Sequence, residues 1–185
     1  MDTLHIAVCD NHVSSLTFIT SEITKQIMNM NVQADVASFS SGEDVMCRAS
    51  EGMFFDLYIL NIEMPKLDGI TLALQIRRHQ KNPVIIFVSA REEYVFDSFK
   101  AHPYSFVRKD HFHEDLSSTL KAFMLEYHKR EDSFLYILRT PDALHKLNLR
   151  QILYIRDIRD GFIELLKNDG TAKRIRYNIN DLEKE

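Results

Sequence analysis

The sequence predicts an α/β fold, with five strand–helix units whose strands pair in parallel, followed by a smaller β-rich part. Three observations carry this. Short apolar runs alternate with segments whose apolar residues recur every three or four positions. Five strands, each followed by a helix, need crossover connections, and crossovers give parallel pairs. After residue 128 the helical spacing stops, and short strands between turn signals take over.

The elements follow in order. "LHIAVC" (Leu4–Cys9) is a strand, and Val13, Leu16, Ile19, Ile23, Ile27 and Met30 then line one face of a helix. "VQADVASFS" alternates as a second strand and leads into "SSGEDV", where Ser40 or Ser41 caps a second helix. "FFDLYIL" is the third strand, and Leu67–His79 the third helix. "NPVIIFVSA" opens with Pro83 and reads as a buried fourth strand, Arg91–Lys100 as a short helix, and "YSFVRK" as a fifth strand. Leu116, Leu120, Phe123 and Tyr127 mark the face of a fifth helix. "HKREDS" (His128–Ser133) is charged and lacks apolar anchors, so the first domain is placed at 1–128, a linker at 129–133 and a second domain at 134–185. Within that second domain, "FLYILR", "HKLNL", "ILYIR", "FIELLK" and "AKRIRY" read as strands separated by "TPDA", "RDG" and "NDG". Asn168-Asp169-Gly170 suits a hairpin, because Asp-Gly tolerates positive φ. Asn178, with Asp181 three residues on, is expected to cap a last helix.

Composition narrows the class. At 185 residues the chain suits one ample domain or two small ones, and 45% apolar content supports a core. No run of roughly 18 apolar residues exists, so no membrane span is expected. The start, "MDTLHIAVCD", has no basic segment followed by an apolar one, so export is not expected and the cytoplasm is. Cys9 and Cys47 lack metal or redox spacing and read as reduced thiols in the core. The net charge is −4, yet Arg139–Arg176 holds nine basic and five acidic residues, a local +4 that permits an anionic partner.

In an open parallel sheet, ligands collect beyond the carboxyl ends of the strands. Those ends carry Asp10-Asn11-His12, Asn61, Ser89 and Arg108-Lys109. Singly, each is what any strand end shows to water. Together they put an acid, two amides, a hydroxyl and an ammonium on one edge. His111 and His113 are two imidazoles without a third ligand, which suits helix capping better than a metal.

"IAVCDN", "NIEMPKLDG", "FVSA" and "FVRK", in that order, make the first 128 residues resemble a receiver domain of two-component response regulators. The resemblance implies a flavodoxin-like fold and a phosphotransfer pocket. In that family an Asp at the position of Asn61 accepts a phosphoryl group held by Mg²⁺. Acids of the first loop and the backbone carbonyl of the Glu63 position hold the metal. The hydroxyl of Ser89 and the ammonium of Lys109 would bind the phosphate, and Phe106 would be the aromatic that changes rotamer. This sequence departs at Asn61 and Asn11. An amide is far less nucleophilic than a carboxylate, so no acyl phosphate is expected at Asn61. Of the three family carboxylates only Asp10 remains, which leaves Asp10 and Glu63 as a weak or lost magnesium site. No cofactor is expected beyond weak Mg²⁺. At 4 Å and an effective dielectric of about 20, each lost charge removes on the order of 4 kcal/mol of gross attraction per unit of cation charge. Lys109 is expected to pair with Asp10 instead, and a side-chain swing of Glu63 into the pocket is a lesser alternative.

"LHKLNLRQILYIRDIRDGFIELLKNDGTAKRIRYNINDLEKE" resembles the opening half of a LytTR-type DNA-binding domain. That implies DNA contact through residues 134–185, with Arg156 and Arg159 as candidates beside the loop before Phe162. The joint resemblance implies a non-enzymatic, atypical response regulator, acting as a homodimer, with a sensor histidine kinase or another regulator as partner. The rival expectation is a degenerate receiver that serves only as a protein interaction module, without DNA binding.

Overall fold

The first five apolar runs form β1 (Leu4–Cys9), β2 (Ala34–Phe39), β3 (Leu57–Asn61), β4 (Val84–Ser89) and β5 (Ser105–Arg108), as expected. They pair in parallel in the order β2-β1-β3-β4-β5. The computed structural model describes residues 3–133, 135–140, 142–158 and 160–177, and the cap expected at Asn178 and Asp181 lies outside these. β3 is buried along its whole length and β4 nearly so, because helices cover both sheet faces. Alternate strand residues serve opposite faces. Ala7, Cys9, Tyr58, Leu60, Ile85 and Phe87 share a core with Val45 of α2 (Gly42–Ser50) and with Leu72 and Ile76 of α3 (Gly69–His79). On α1 (Val13–Asn29), Ile19, Ile23 and Ile27 are the buried stripe, and Phe18 meets Phe112 at the start of α5 (Phe112–Ser133) with ring centroids 5.2 Å apart.

Four expectations need correction. α3 begins at Gly69 and not at Leu67, because Asp68 is its cap: Oδ1 accepts the N–H groups of Ile70 and Thr71 at 3.0 and 2.9 Å. The 91–100 segment yields only a four-residue α4 (Val95–Ser98) between two 3₁₀ turns. Its one buried residue is Ser98, so no apolar stripe holds a longer helix. α5 continues to Ser133 rather than ending near Tyr127, so the segment 129–133 placed between the two domains is helical; Lys, Arg and Glu are good helix formers, and charge alone did not signal a loop. Cys47 is exposed rather than in the core, because α2 buries the row Gly42, Val45 and Ala49 and Cys47 lies off it.

The chain divides into two compact units, Met1–Lys121 and Ala122–Glu185. In the second, β6 (Leu135–Arg139) and β7 (Leu144–Asn148) form an antiparallel hairpin. β8 (Ile152–Ile158), β9 (Phe162–Lys167) and β10 (Ala172–Arg176) form an antiparallel sheet in the order β10-β9-β8. Leu138 and Leu147 of the hairpin with Ile163, Leu165 and Ile175 of the sheet are the core of this unit. The Asn168-Asp169-Gly170 turn closes β9 onto β10 with Gly170 at φ +80°, while Asp169 Oδ1 accepts the Thr171 N–H at 2.8 Å. That turn sets the register, which places Glu164 opposite both Arg156 and Arg174.

Candidate functional site

The carboxyl end of the parallel sheet gathers the polar residues the sequence singled out. Asp10 follows β1, Asn61 ends β3, Ser89 ends β4 and Lys109 follows β5. Asp10, Asn61 and Ser89 are the buried polar side chains of this rim. Lys109 Nζ donates to Asp10 Oδ2 at 2.7 Å, and the His12 N–H donates to Oδ1 at 2.9 Å. Both carboxylate oxygens therefore have partners, and the pair is neutral, as the sequence reading expected.

Asn61 faces two oxygens. Its Nδ2 donates to the backbone carbonyl of Glu63 at 2.7 Å and to Asn11 Oδ1 at 3.1 Å. An ionised carboxylate has no hydrogen to give, so an aspartate here would set oxygen against oxygen unless a cation came between. The amide is thus the species that satisfies this corner without one. The position is held by backbone packing from below: a Cβ on Gly69 would lie 2.1 Å from the Asn61 carbonyl oxygen, and the Gly69 N–H donates to the Ile62 carbonyl at 2.8 Å. Only glycine lets α3 start this close to the end of β3.

The remaining expectations separate. Glu63 turns its carboxylate outward to Arg91, Oε1 to Nε 3.3 Å, and not into the pocket. The Ser89 hydroxyl accepts the Arg91 N–H at 3.0 Å, within its own loop. Phe106 is half-buried against the α2–α3 core. His113 lies 3.3 Å from Glu22, and His12 is exposed. Among the described residues no group of three or more His, Cys, Asp or Glu could hold a metal ion. Burial beside Asp10 pushes the Cys9 thiol up to about 12, so it stays protonated, in contact with Met64 Sδ at 3.5 Å.

In the second unit, Arg156 lies inside β8 with its guanidinium on Glu164, Nε to Oε2 2.7 Å with Nη2 on the same oxygen. Arg156, expected as a DNA contact beside the loop before Phe162, is thus engaged with Glu164, and Arg159 lies outside the described residues. Arg174 Nε reaches the other oxygen, Oε1, at 3.2 Å. Sequence reasoning missed Arg91, Gly69, Glu164 and Arg174. Gly69 had a signal in "LDG", whereas the others depend on loop paths and register.

A five-stranded parallel sheet of this order, with polar residues gathered at its carboxyl edge, defines a receiver-type α/β domain. Residues 6–121, more than half of the chain, match the family described as "Response regulator receiver domain". The chain belongs to that family. It is 30% identical over 84 residues to the Positive alginate biosynthesis regulatory protein of Pseudomonas aeruginosa, covering 45% of this chain and 34% of that one. It is 24% identical over 98 residues to the Transcriptional regulatory protein YpdB of Escherichia coli K12, covering 53% and 40%. The chain thus spans well under half the length of these relatives. The response regulatory domain of MrkE from Klebsiella pneumoniae has the same fold, with TM-score 0.60 and 20% identity over 68% of this chain and 99% of that one. Among the described residues no helix is long and apolar enough to cross a membrane.

Proposed function

We propose that the chain is an atypical, non-enzymatic response regulator of the cytoplasm. Its receiver signals by protein contacts without aspartyl phosphorylation, and its second unit gives a LytTR-type transcriptional output, binding DNA as a homodimer. The observation that carries the first half is the Asn61 amide, hydrogen-bonded to the Glu63 carbonyl and to Asn11. Those two oxygens and Asp10 are what the family offers a metal. Here each has a protein donor, and a single carboxylate remains among them. This donor set does not fit Mg²⁺, which wants anionic oxygens in near-octahedral array. The second half draws on the likeness to a positive regulator of alginate biosynthesis and to a transcriptional regulator, on the loose LytTR pattern and on the local +4 of Arg139–Arg176. A histidine kinase or a second regulator would be the upstream partner.

The test is incubation with acetyl phosphate and Mg²⁺, followed by intact-mass measurement. The unaltered chain is expected to gain no phosphoryl group, while the double variant Asn11→Asp/Asn61→Asp is expected to gain one. A phosphoryl adduct on the unaltered chain would overturn the reading. The rival interaction-module reading is favoured by exposed apolar side chains on the second unit, Ile137, Leu144 and Leu153. Band shifts over a salt series separate the two, since DNA binding should weaken steeply as salt rises.

A further inference from the structure

The β8–β9–β10 sheet has one covered face and one open face. Ile155, Ile163, Leu165 and Ile175 pack into the core of the second unit. The alternate residues form the opposite face, with Arg156 on β8, Phe162 and Glu164 on β9, and Arg174 and Arg176 on β10. Three arginines stand here against one glutamate. The side chain of Glu164 is only 7% exposed beneath Arg156 and Arg174, which are themselves 58% and 71% exposed.

We infer that this open sheet face, through Arg156, Arg174 and Arg176, is a binding surface for the phosphate backbone of duplex DNA, with Glu164 as the residue that positions two of the arginines. The inference rests on the DNA-binding reading above and moves the contact from the turn before Phe162 to the sheet.

The face carries surplus positive charge. One carboxylate needs one cation, and exposed ion pairs of this kind contribute little to stability. Two further guanidiniums on the same face are surplus to that need and repel one another unless an anion is supplied. Arg174 uses only its Nε on Glu164, so its Nη groups remain for another acceptor on an exposed side chain. Strands lie about 4.8 Å apart, so the Cα atoms of Arg156 and Arg174, two strands apart, are separated by roughly 10 Å, while their heads converge on Glu164. Arg176 lies two residues further along β10 (about 7 Å), so the Arg156–Arg174 cluster and Arg176 can meet separate phosphates. An arginine loses rotamer freedom on binding, and a carboxylate that already fixes its head reduces that loss. The exposed Phe162 opposite Arg176 adds apolar contact to the same surface.

The test is fluorescence anisotropy of the full chain with a labelled duplex across a salt series, for the unaltered protein and for Arg174→Ala, Arg176→Ala and the control Arg48→Ala. Circular dichroism melts show that each variant is folded. Each of the first two should lower the log–log salt slope by about one, and their double variant by about two, while weakening all duplex sequences alike. Arg48→Ala, in the receiver, should leave the slope unchanged. If the unaltered chain binds DNA and both arginine variants keep its slope, the face is overturned and the DNA reading stands. If the unaltered chain does not bind duplex, or binds poly-glutamate in its place, the DNA reading itself fails and the inference with it.

Discussion

Among the described residues, each unit buries one carboxylate against basic side chains, and the two arrangements differ in the charge they leave exposed. Asp10 is fully enclosed and takes a single ammonium, Lys109, with the His12 N–H on its other oxygen. Charge and hydrogen bonding close together within the protein. Glu164 sits under two guanidiniums that stay largely exposed, and the sheet face retains positive charge. Where the receiver resemblance implies metal and phosphate, the first arrangement sets a neutral pair beside an amide donor. The second holds cations in place while leaving them accessible. A buried ion pair is therefore no guide to function until its surplus charge is counted.

The largest expected effect comes from breaking the closed pair. Lys109→Ala would leave the Asp10 carboxylate buried with one backbone donor, and an uncompensated buried charge costs about 3–5 kcal/mol. Urea unfolding should show this as a large drop in midpoint for the receiver transition. Asp10→Asn/Lys109→Met should cost much less than Lys109→Ala alone, because the double variant removes both charges. Equal losses in single and double variants would break the contrast, since Lys109 would then matter for packing rather than for charge.

The open arrangement should respond far less. Arg174→Ala leaves Glu164 paired with Arg156, and an exposed pair contributes little to stability. The same urea experiment, read on the second unit's transition, is expected to shift slightly. A loss as large as that of Lys109→Ala would mean the two carboxylates are equally dependent on their cations, and the distinction would fall.

These two sites were not equally legible in the sequence. Asp10, Asn61, Ser89 and Lys109 each end or follow a parallel strand, and parallel strands bring their carboxyl ends to one edge whatever the loops do. The Asp10–Lys109 pair could be expected on that basis. Glu164 and Arg174 meet only because the 168–170 turn fixes the register of β9 on β10; a one-residue slip would put Arg174 on the other face. Arg91 is similar, since its pairing with Glu63 depends on the path of two loops. The strands of both units were visible because apolar runs and turn residues agree. The end of α5 was not, because a charged run such as "HKREDS" is equally compatible with a linker and with a solvated helix.

The smallest effect sharpens the comparison through pH. Hydrogen bonds from Arg156 and Arg174 hold the Glu164 carboxyl below the usual carboxylate range, and Arg108 does the same for Asp115 in the receiver, Nε to Oδ2 2.8 Å. A depressed folded-state pKa gives stability that is complete above the unfolded-state value and is lost as pH falls through the folded one. Both contributions should therefore be flat near neutrality and disappear only in acid. Thermal melts in an acid pH series should show Glu164→Gln with a shallower acid decline than the unaltered protein in the second unit's transition, and no change in the receiver's. Because the guanidiniums around Glu164 are exposed, added salt should flatten the unaltered protein's decline as well. A decline that ignores both the substitution and the salt would place the acid sensitivity of that unit in other carboxylates and leave Glu164 a bystander under its arginines.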